Sequence, residues 1–127
     1  MFKLILALLL FSYSVTTFAD EWTSADSYRE TTFQVLNIID WGQTRYIAQH
    51  PEKFRERPSS EGGISDFIGS KPTEKGVDSF MLKVSVIHAA ISYFLPNDWR
   101  DAFQYVTIGM KLNATIGNAS IGIKVSF

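Results

Sequence analysis

Two sets of polar residues have the types and the spacing to do chemistry together. Each set follows the helical spacing i, i+3 and i+7. The first set is Asn37, Asp40 and Thr44, and the second is Ser85, His88 and Ser92. Residues at this spacing share one face of a helix, so each set forms a polar stripe. If the stripes face each other, Asp40 contacts His88 and orients the imidazole for proton transfer.

A structural role is the simpler interpretation of the same stripes, because buried polar groups usually satisfy one another. Acid–base pairs mark catalytic sites only in a minority of cases. We therefore expect a non-enzymatic role, with Asp40 and His88 as the catalytic candidates and ligand or lipid head-group binding as a third alternative. The candidate binding residues are Asn37, Asp40, Gln43, Thr44, Ser85 and His88.

Other reaction classes lack their characteristic residues. The chain has no cysteine and no Gly-x-Ser-x-Gly sequence, which argues against nucleophilic catalysis. His50 and His88 stand in unlike contexts and do not have the His-x-x-x-His spacing of zinc ligands, so we predict no metal. Gly62-Gly63 lacks the lysine that follows in a phosphate-binding loop. We also predict no cofactor.

The first long helix is predicted from Ser24 to Gln49, where His50-Pro51 ends it. Ser24 or Asp26 is expected to cap its start. A helical wheel gives this helix an apolar face and a face available for water. The apolar face comprises Tyr28, Val35, Ile39, Gly42 and Tyr46, and the polar face comprises Arg29, Glu30, Gln34 and Arg45.

A linker rich in proline, serine and charged residues follows at about 50–76. A loop of this length in a small domain is uncommon and is either functional or mobile. Its apolar residues Ile64, Phe67 and Ile68 are expected to dock it on the body. The next helix, from about Thr73 to Leu95, is apolar nearly all round, which predicts burial in protein or in lipid.

The last helix is predicted to start at Asn97, a good N-cap. Its apolar residues at helical spacing are Trp99, Phe103, Val106 and Met110. From Asn113 glycines weaken the helix, and the alternation that ends at Phe127 favours a short strand. A helix that continues through the glycines is the alternative. The predicted fold is mainly α, with about three helices in a small bundle and a short extended or β-like C-terminus.

The first nineteen residues have the three parts of a signal peptide. Met1-Phe2-Lys3 is positive, Leu4 to Phe11 is an apolar run, and Thr17-Phe18-Ala19 offers a cleavage site. An uncleaved anchor is the alternative, although the run is short of the roughly 20 apolar residues of a membrane span. We predict a signal peptide at 1–19 and a single helical domain at 20–127.

Composition limits the partners of the exported chain. The full chain has a formal net charge of −1, and the exported chain, which lacks Lys3, has 11 basic and 13 acidic residues and a charge of −2. This near-neutral balance argues against nucleic acid. A small domain without cysteine has no disulfide, so it depends on its core, on oligomerisation or on a membrane. Tryptophan and tyrosine favour the lipid–water boundary, but Lys83 and His88 interrupt the apolar helix. We expect peripheral or soluble packing, with an integral membrane bundle as the alternative.

A central motif, Asp40-Trp-Gly-Gln-Thr-Arg45, is followed by Phe67-Ile-Gly69, His88, Leu95-Pro96 and Trp99-Arg100. In these residues the chain resembles a family of small exported proteins of Gram-negative bacteria and their phages. The family tends to have Glu-x-Asn-Pro in the linker, where this chain has Asp66-Phe67. The resemblance implies a place in the cell envelope and implies no reaction.

Together these features predict a small exported envelope protein with a non-enzymatic role in membrane association or interaction. It would reside in the periplasm or on an envelope membrane, with the outer-membrane face included. Its expected partner is membrane lipid or another envelope protein. The alternatives are a hydrolase-like envelope enzyme that uses Asp40 and His88 as an acid–base pair, and an integral helical bundle.

Overall fold

A computed structural model describes residues 21–61 and 63–127 of the chain. Its elements are α1 (Ser24–Gln49), a 3-10 turn (Ser59–Glu61), α2 (Ser65–Ile68), α3 (Glu74–Phe94) and α4 (Asn97–Ser120). The predicted signal peptide at 1–19 lies outside the described residues. The mainly helical fold is confirmed, and the described residues contain no strand.

The three long helices form the body, and α1 is its central member. α1 packs against both α3 and α4, whereas α3 and α4 make few contacts with each other. Glu30 of α1 meets His88, and Asn37, two turns later, meets Ser85, so α1 and α3 are antiparallel. α4 returns after the tight turn at Leu95-Pro96 and runs parallel to α1.

The helix starts follow capping rules with two corrections to the sequence analysis. Thr23 caps α1 instead of Ser24 or Asp26, and its capping box has Thr23 N–H donating to Asp26 Oδ2 over 2.7 Å. Asn97 is the first residue of α4 and not its N-cap, which is Pro96, and the Oδ1 of Asn97 accepts from Arg100 over 3.0 Å.

Arg100 closes the C-terminal end of α3 from the first turn of α4. Its guanidinium, which is fully buried, donates to the carbonyls of Ser92, Tyr93 and Leu95 over 2.7 to 3.3 Å. These carbonyls have no partner inside α3, because the last four carbonyls of a helix lack one. The same guanidinium donates to Asp26 Oδ2 over 3.0 Å, which joins the end of α3 to the start of α1.

The C-terminus differs from the predicted strand. α4 continues through Gly117 to Ser120, the chain turns at Gly122 with a φ of +89°, and residues 123–127 have no regular structure. This tail crosses α1, where Ser126 N–H donates to the carbonyl of Gly42 over 3.0 Å. A strand needs another strand to pair its backbone, and the tail has a helix beside it instead.

Backbone hydrogen bonds join distant parts of the linker to each other. Glu56 N–H donates to Ser70 O over 2.8 Å, and Ser65 N–H donates to Arg57 O over 2.9 Å. Phe67 of α2 stacks on Phe80 of α3 with 5.8 Å between ring centroids, and α2 as a whole packs on α3. The linker therefore docks on α3, as its apolar residues predicted.

The distribution of side chains is inverted relative to a water-soluble domain. Among the described residues the buried apolar side chains are Phe33, Ile47, Val77, Met81 and Ile123, whereas the buried polar ones are twice as many. In the first half of α1 the predicted apolar face is therefore wrong, whereas Gly42 of that face is buried. Tyr28 and Val35 are 76% and 51% exposed, and the polar side of the helix faces inward.

Candidate functional site

The buried polar residues form a continuous polar seam between α1, α3 and α4. Its members are Asp26, Asn37, Asp40, Gln43, Thr44, His88, Ser92, Arg100, Gln104 and Thr115. Of the predicted site residues, Asn37, Asp40, Gln43, Thr44 and His88 are buried in this seam, and Ser85 is half-buried at its edge. The two predicted stripes thus face the same interior.

The structure does not bring Asp40 and His88 together. Asp40 Oδ2 accepts from the Lys111 ammonium over 2.5 Å, and both side chains are largely covered. Asp40 lies more than two turns along α1 from Glu30, the residue that lies opposite His88. Because α1 and α3 are antiparallel, the register that pairs Asn37 with Ser85 places His88 beside the earlier carboxylate.

His88 lies at the centre of a hydroxyl–imidazole–carboxylate arrangement. Its Nδ1 is 3.1 Å from the Glu30 carboxylate, and its Nε2 is 2.8 Å from Thr107 Oγ1 on α4. The ring stacks between Phe33 and Phe103, with centroid distances of 3.4 and 4.7 Å. The two polar contacts fix the ring within its plane, and the two stacked phenylalanines hold it from above and below. One side chain thereby connects the three helices.

Glu30 stays ionised in this surrounding. Burial raises the pKa of its carboxyl, but hydrogen bonds from His88, Gln34 and Ser92 outweigh burial and lower the pKa to about 2. Gln34 Nε2 donates to Glu30 Oε1 over 2.8 Å, and Gln104 Nε2 lies 3.4 Å from Oε2. The carboxylate therefore holds α1 to both other helices.

The Asp40–Arg45 motif works as a structural junction. Trp41 Nε1 donates to Asp78 Oδ1 on α3 over 2.7 Å, and Arg45 Nη1 donates to both oxygens of the same carboxylate over 2.6 and 2.7 Å. Hydrogen bonds from Arg45 and then Trp41 lower the pKa of the Asp78 carboxyl. On the other side Gln43 Nε2 donates to Thr115 O on α4 over 3.0 Å.

The C-terminal tail packs directly against Gly42, in the middle of the motif. A Cβ at this position would lie 2.4 Å from Val125 Cγ1 and 2.8 Å from Phe127 Cε2. Phe127 also meets Trp41 edge to face, with 6.2 Å between ring centroids. Glycine is therefore required here for close approach of the tail, and the motif contacts every part of the body.

Three buried side-chain atoms of the described residues lack a hydrogen-bond partner, and they are Asn37 Oδ1, Arg45 Nε and Glu56 Oε2. Asn37 Nδ2 donates to Ser85 Oγ over 2.8 Å, but Asn37 Oδ1 accepts from no donor among the described residues. Glu56 Oε2 of the linker is also without a partner in the described part of the chain. Burial and the nearby Asp40 carboxylate raise the pKa of Glu56.

Sequence reasoning missed the contribution of α4 to the seam. The residues that partner the predicted site are spaced i, i+4, i+7 and i+11 on α4, and they are Arg100, Gln104, Thr107 and Lys111. This spacing was visible in the sequence, but the apolar residues Trp99, Phe103, Val106 and Met110 have the same period and suggested the neighbouring face, about 100° around the helix, as the buried one.

A groove opens between α3 and α4, which make few contacts with each other. One section of about 200 Å³ is lined by Phe33, Val84, His88, Thr107, Met110 and Lys111. A second section of about 430 Å³ lies nearer the turn and is lined by Ile91, Leu95, Trp99, Ala102, Phe103 and Val106. The walls of both sections are apolar almost throughout. Both nitrogens of His88 are engaged inside the body, by Glu30 and by Thr107.

The outer surface of the body carries an apolar belt, which comprises the exposed residues of 28–38 on α1, 79–94 on α3 and 102–116 on α4. Lys83 is the one charged side chain among the exposed residues of these three segments, all of which the structure describes. The segments lie at the same height, because Glu30, His88 and Thr107 meet inside them. At one edge of the belt lie the exposed aromatic residues Tyr28, Tyr93, Trp99 and Tyr105.

Comparison with known proteins found no match to a family model, to a curated protein or to a solved structure. By length and composition, α3 is a helix that qualifies to cross a membrane, and most of its apolar window lies outside the protein interior. Core helices of soluble proteins pass the same test. Within residues 21–61 and 63–127 no group of three or more histidine or acidic side chains is arranged to hold a metal ion.

Proposed function

We propose that this chain is a small exported envelope protein that associates with a membrane through its apolar belt, in a non-enzymatic role. The observation that carries the proposal is the inverted distribution of side chains. In water, folding is driven by burial of apolar surface. Here the interior is polar and the exterior is apolar, an arrangement that lipid stabilises because it solvates the belt and leaves polar groups to pair inside.

The composition of the two ends of the body supports a lipid boundary. Charged residues collect beyond the belt, with Asp98 and Asp101 at one end and Glu74 and Lys75 at the other. Exposed tyrosine and tryptophan side chains at the first end fit the headgroup region, where their amphipathic rings are favoured. Export is supported by the three-part pattern of residues 1–19.

The distribution of the belt favours lipid over a single protein partner. Exposed large apolar side chains occur on all three helices, among them Val35 on α1, Val86 on α3 and Ile116 on α4. A partner protein covers a patch on one side, whereas lipid covers every outward surface. Large exposed apolar surface marks a membrane or protein interaction site in general, and here its extent selects the membrane.

The height of the belt favours embedding over a full span. Residues 102–116 of α4 rise about 22 Å at 1.5 Å per residue, which is less than the roughly 30 Å of hydrocarbon in a bilayer. The body would therefore be embedded in one side of the membrane. The inserted edge would be either the one that carries the exposed aromatic residues or the one opposite to it. The contacts of His88 favour the non-enzymatic role, because both of its nitrogens are engaged by Glu30 and Thr107.

Vesicle flotation tests the proposal. Residues 20–127 are mixed with vesicles of phosphatidylethanolamine and phosphatidylglycerol and centrifuged in a sucrose gradient, with a carbonate wash of the floated fraction. We expect the protein to float and to resist the wash. Val86→Glu places a charge in the belt and is expected to reduce flotation at least five-fold.

Ser24→Glu is the matched control, because it adds the same charge at an exposed position outside the belt. It is expected to float like the wild type. A wild-type protein that stays monomeric and stable in buffer and leaves the vesicles bare contradicts membrane association. Equal loss of flotation in both variants would show that net charge governs binding and that the belt does not.

A further inference from the structure

The lysine and arginine residues of the body divide into paired and unpaired ones. Four of them form ion pairs with carboxylates of the bundle, and they are Arg29, Arg45, Arg100 and Lys111. The others form no ion pair within residues 21–61 and 63–127, and outside the apolar belt they are the exposed residues Lys53, Arg55, Arg57, Lys71, Lys75 and Lys124. All six lie at one end of the body, the linker end, where α1 and α4 finish and α3 begins.

The opposite end of the body, where α1 and α4 begin, is acidic. Its two arginines are held by Asp26 and Asp101, whereas Glu21 and Asp98 are exposed and have no cationic partner in the part of the chain that the structure describes. With Lys83 in the middle left out, the described half towards the linker end has eight basic and seven acidic residues, and the other half has two and five. The formal charges are therefore +1 and −3.

Three of the unpaired cations form a cationic row on the surface of the linker, and they are Lys53, Arg55 and Arg57. All three are exposed, and the residues between them are half-buried. Such alternation places every second side chain of an extended segment on the same side. The acid inside this stretch, Glu56, therefore faces inward, where Oε2 is buried and the carboxyl lies near Asp40.

The surroundings of the cationic row keep the linker end positive at its surface. Glu56 N–H donates to Ser70 O over 2.8 Å, which brings the exposed Lys71 beside the row. The exposed acids without an ion pair at this end, among the described residues, are Glu52, Glu61 and Asp66. Six unpaired cations thus share this surface with three unpaired acids.

We infer that the linker end binds the phosphate groups of anionic membrane lipids through the cationic row. The inference rests on the proposed membrane association and adds the class of lipid. Asp40, which the row overlies through Glu56, comes two residues after the belt ends on α1. Lys75 comes four residues before the belt begins on α3, about 6 Å along the helix axis. The head-group layer beyond the hydrocarbon is about 5 to 7 Å deep on each side, so these cations lie at its level.

The position of the cationic row selects lipid over a soluble polyanion. The row adjoins the apolar belt, so a membrane engages both surfaces at once. A soluble anion would engage the row alone and leave the belt in water, where its exposure is unfavourable. The full chain has a formal net charge of −1, which opposes binding of nucleic acid and leaves a local attraction as the contribution of the row.

Vesicles with and without anionic lipid test the inference. Residues 20–127 are floated with phosphatidylcholine vesicles that contain or lack phosphatidylglycerol, and the ratio of the two partition coefficients is determined. We expect the wild type to prefer the phosphatidylglycerol vesicles at least ten-fold at low salt. High salt should remove most of this preference, because it screens exposed charges.

Two variants that change the net charge equally separate the cationic row from the charge of the whole protein. Arg55→Gln removes one exposed cation of the row and is expected to lower the ratio about five-fold. Ser24→Glu adds one negative charge at the exposed start of α1, and it should leave the ratio unchanged. The length of α1, about 39 Å, separates the two ends by more than the Debye length of about 10 Å at 0.1 M salt.

Circular dichroism accompanies each variant, and both are expected to keep their helical spectrum. A wild type that floats equally well with both kinds of vesicle overturns the inference and leaves membrane association standing. Equal ratios in Arg55→Gln and Ser24→Glu overturn it as well, because the position of the charge would then not matter. A wild type that floats with neither kind of vesicle refutes the proposed function itself.

Discussion

Glu30 on α1 and His88 on α3 are joined across the interior by a contact of 3.1 Å, in the place that spacing alone had given to Asp40. The contact belongs to the antiparallel register of α1 and α3. The pairs of α1 with α4, from Asp26 with Arg100 to Asp40 with Lys111, follow the parallel register of those two helices. Four predictions test the energetic role of the seam and its attachments.

Glu30→Gln is expected to destabilise the fold at neutral pH by up to about 3 kcal/mol, because the pKa of Glu30 falls from 4.5 to about 2 on folding and one unit corresponds to about 1.4 kcal/mol. A lowered pKa stabilises the folded state above the unfolded value, so this contribution is complete above pH 4.5. It is lost as the pH falls towards 2. Unfolding in guanidinium, followed by circular dichroism in mild detergent at several pH values, measures it.

The control is the pH dependence of stability, compared between the wild type and Glu30→Gln. The stability of the wild type should fall between pH 4.5 and pH 2 by more than that of Glu30→Gln. Parallel profiles for the two proteins would contradict an ionised Glu30 at the centre of the seam.

Lys111→Met is expected to destabilise the protein by about 3 kcal/mol, because breaking a buried ion pair leaves an uncompensated charge. Asp40→Asn should cost less, since Asp40 also repels the Glu56 carboxyl and its removal relieves that repulsion. The double variant should recover part of the loss. A double-mutant cycle in denaturant gives the coupling energy, and additive single effects would show that the pair is not coupled.

Glu56→Gln is expected to stabilise the protein by about 1 kcal/mol at neutral pH, since Glu56 Oε2 is buried without a donor among the described residues, the Asp40 carboxylate lies near it, and burial of a charge is costly. Burial and then Asp40 raise the pKa of Glu56. A raised pKa means that protonation favours the folded state, so the gain should shrink as the pH falls through that pKa. Thermal unfolding at pH 7 and pH 4.5 measures this, and an equal gain at both values would contradict the mechanism.

Gly42→Ala is expected to release the C-terminal tail, because a Cβ would lie 2.4 Å from Val125 Cγ1. Hydrogen exchange of the Ser126 amide, which donates to Gly42 O, should accelerate at least ten-fold. Gly109→Ala is the matched control, since its Cβ meets no atom within 4 Å. Alanine in a helix interior is favoured by roughly 0.5 to 1 kcal/mol, so this variant should be stabilised with unchanged exchange at Ser126.

The sequence by itself determined the helices, because periodicity and end signals are local. The bounds of α1 from Ser24 to Gln49 agree with the prediction, and α3 differs by one residue at each end from the expected range. The inward placement of Asn37, Asp40 and Thr44 also follows from their i, i+3 and i+7 spacing. The sequence predicted the C-terminus less well. Alternating apolar residues there suggested a strand, but the described residues offer no second strand for it to pair with.

Only the tertiary structure decided which polar residues meet and which face of each helix is buried. On α4, polar and apolar residues repeat with the same helical period, so the sequence offered two faces and no local reason to choose. The choice depends on two registers. The antiparallel register of α1 and α3 places Glu30 beside His88, and the parallel register of α1 and α4 places Asp40 beside Lys111. Register is set only when helices pack, because a buried charge is tolerated only where a residue of another helix pairs with it. A single helix has no such partner, so its own sequence does not determine the register.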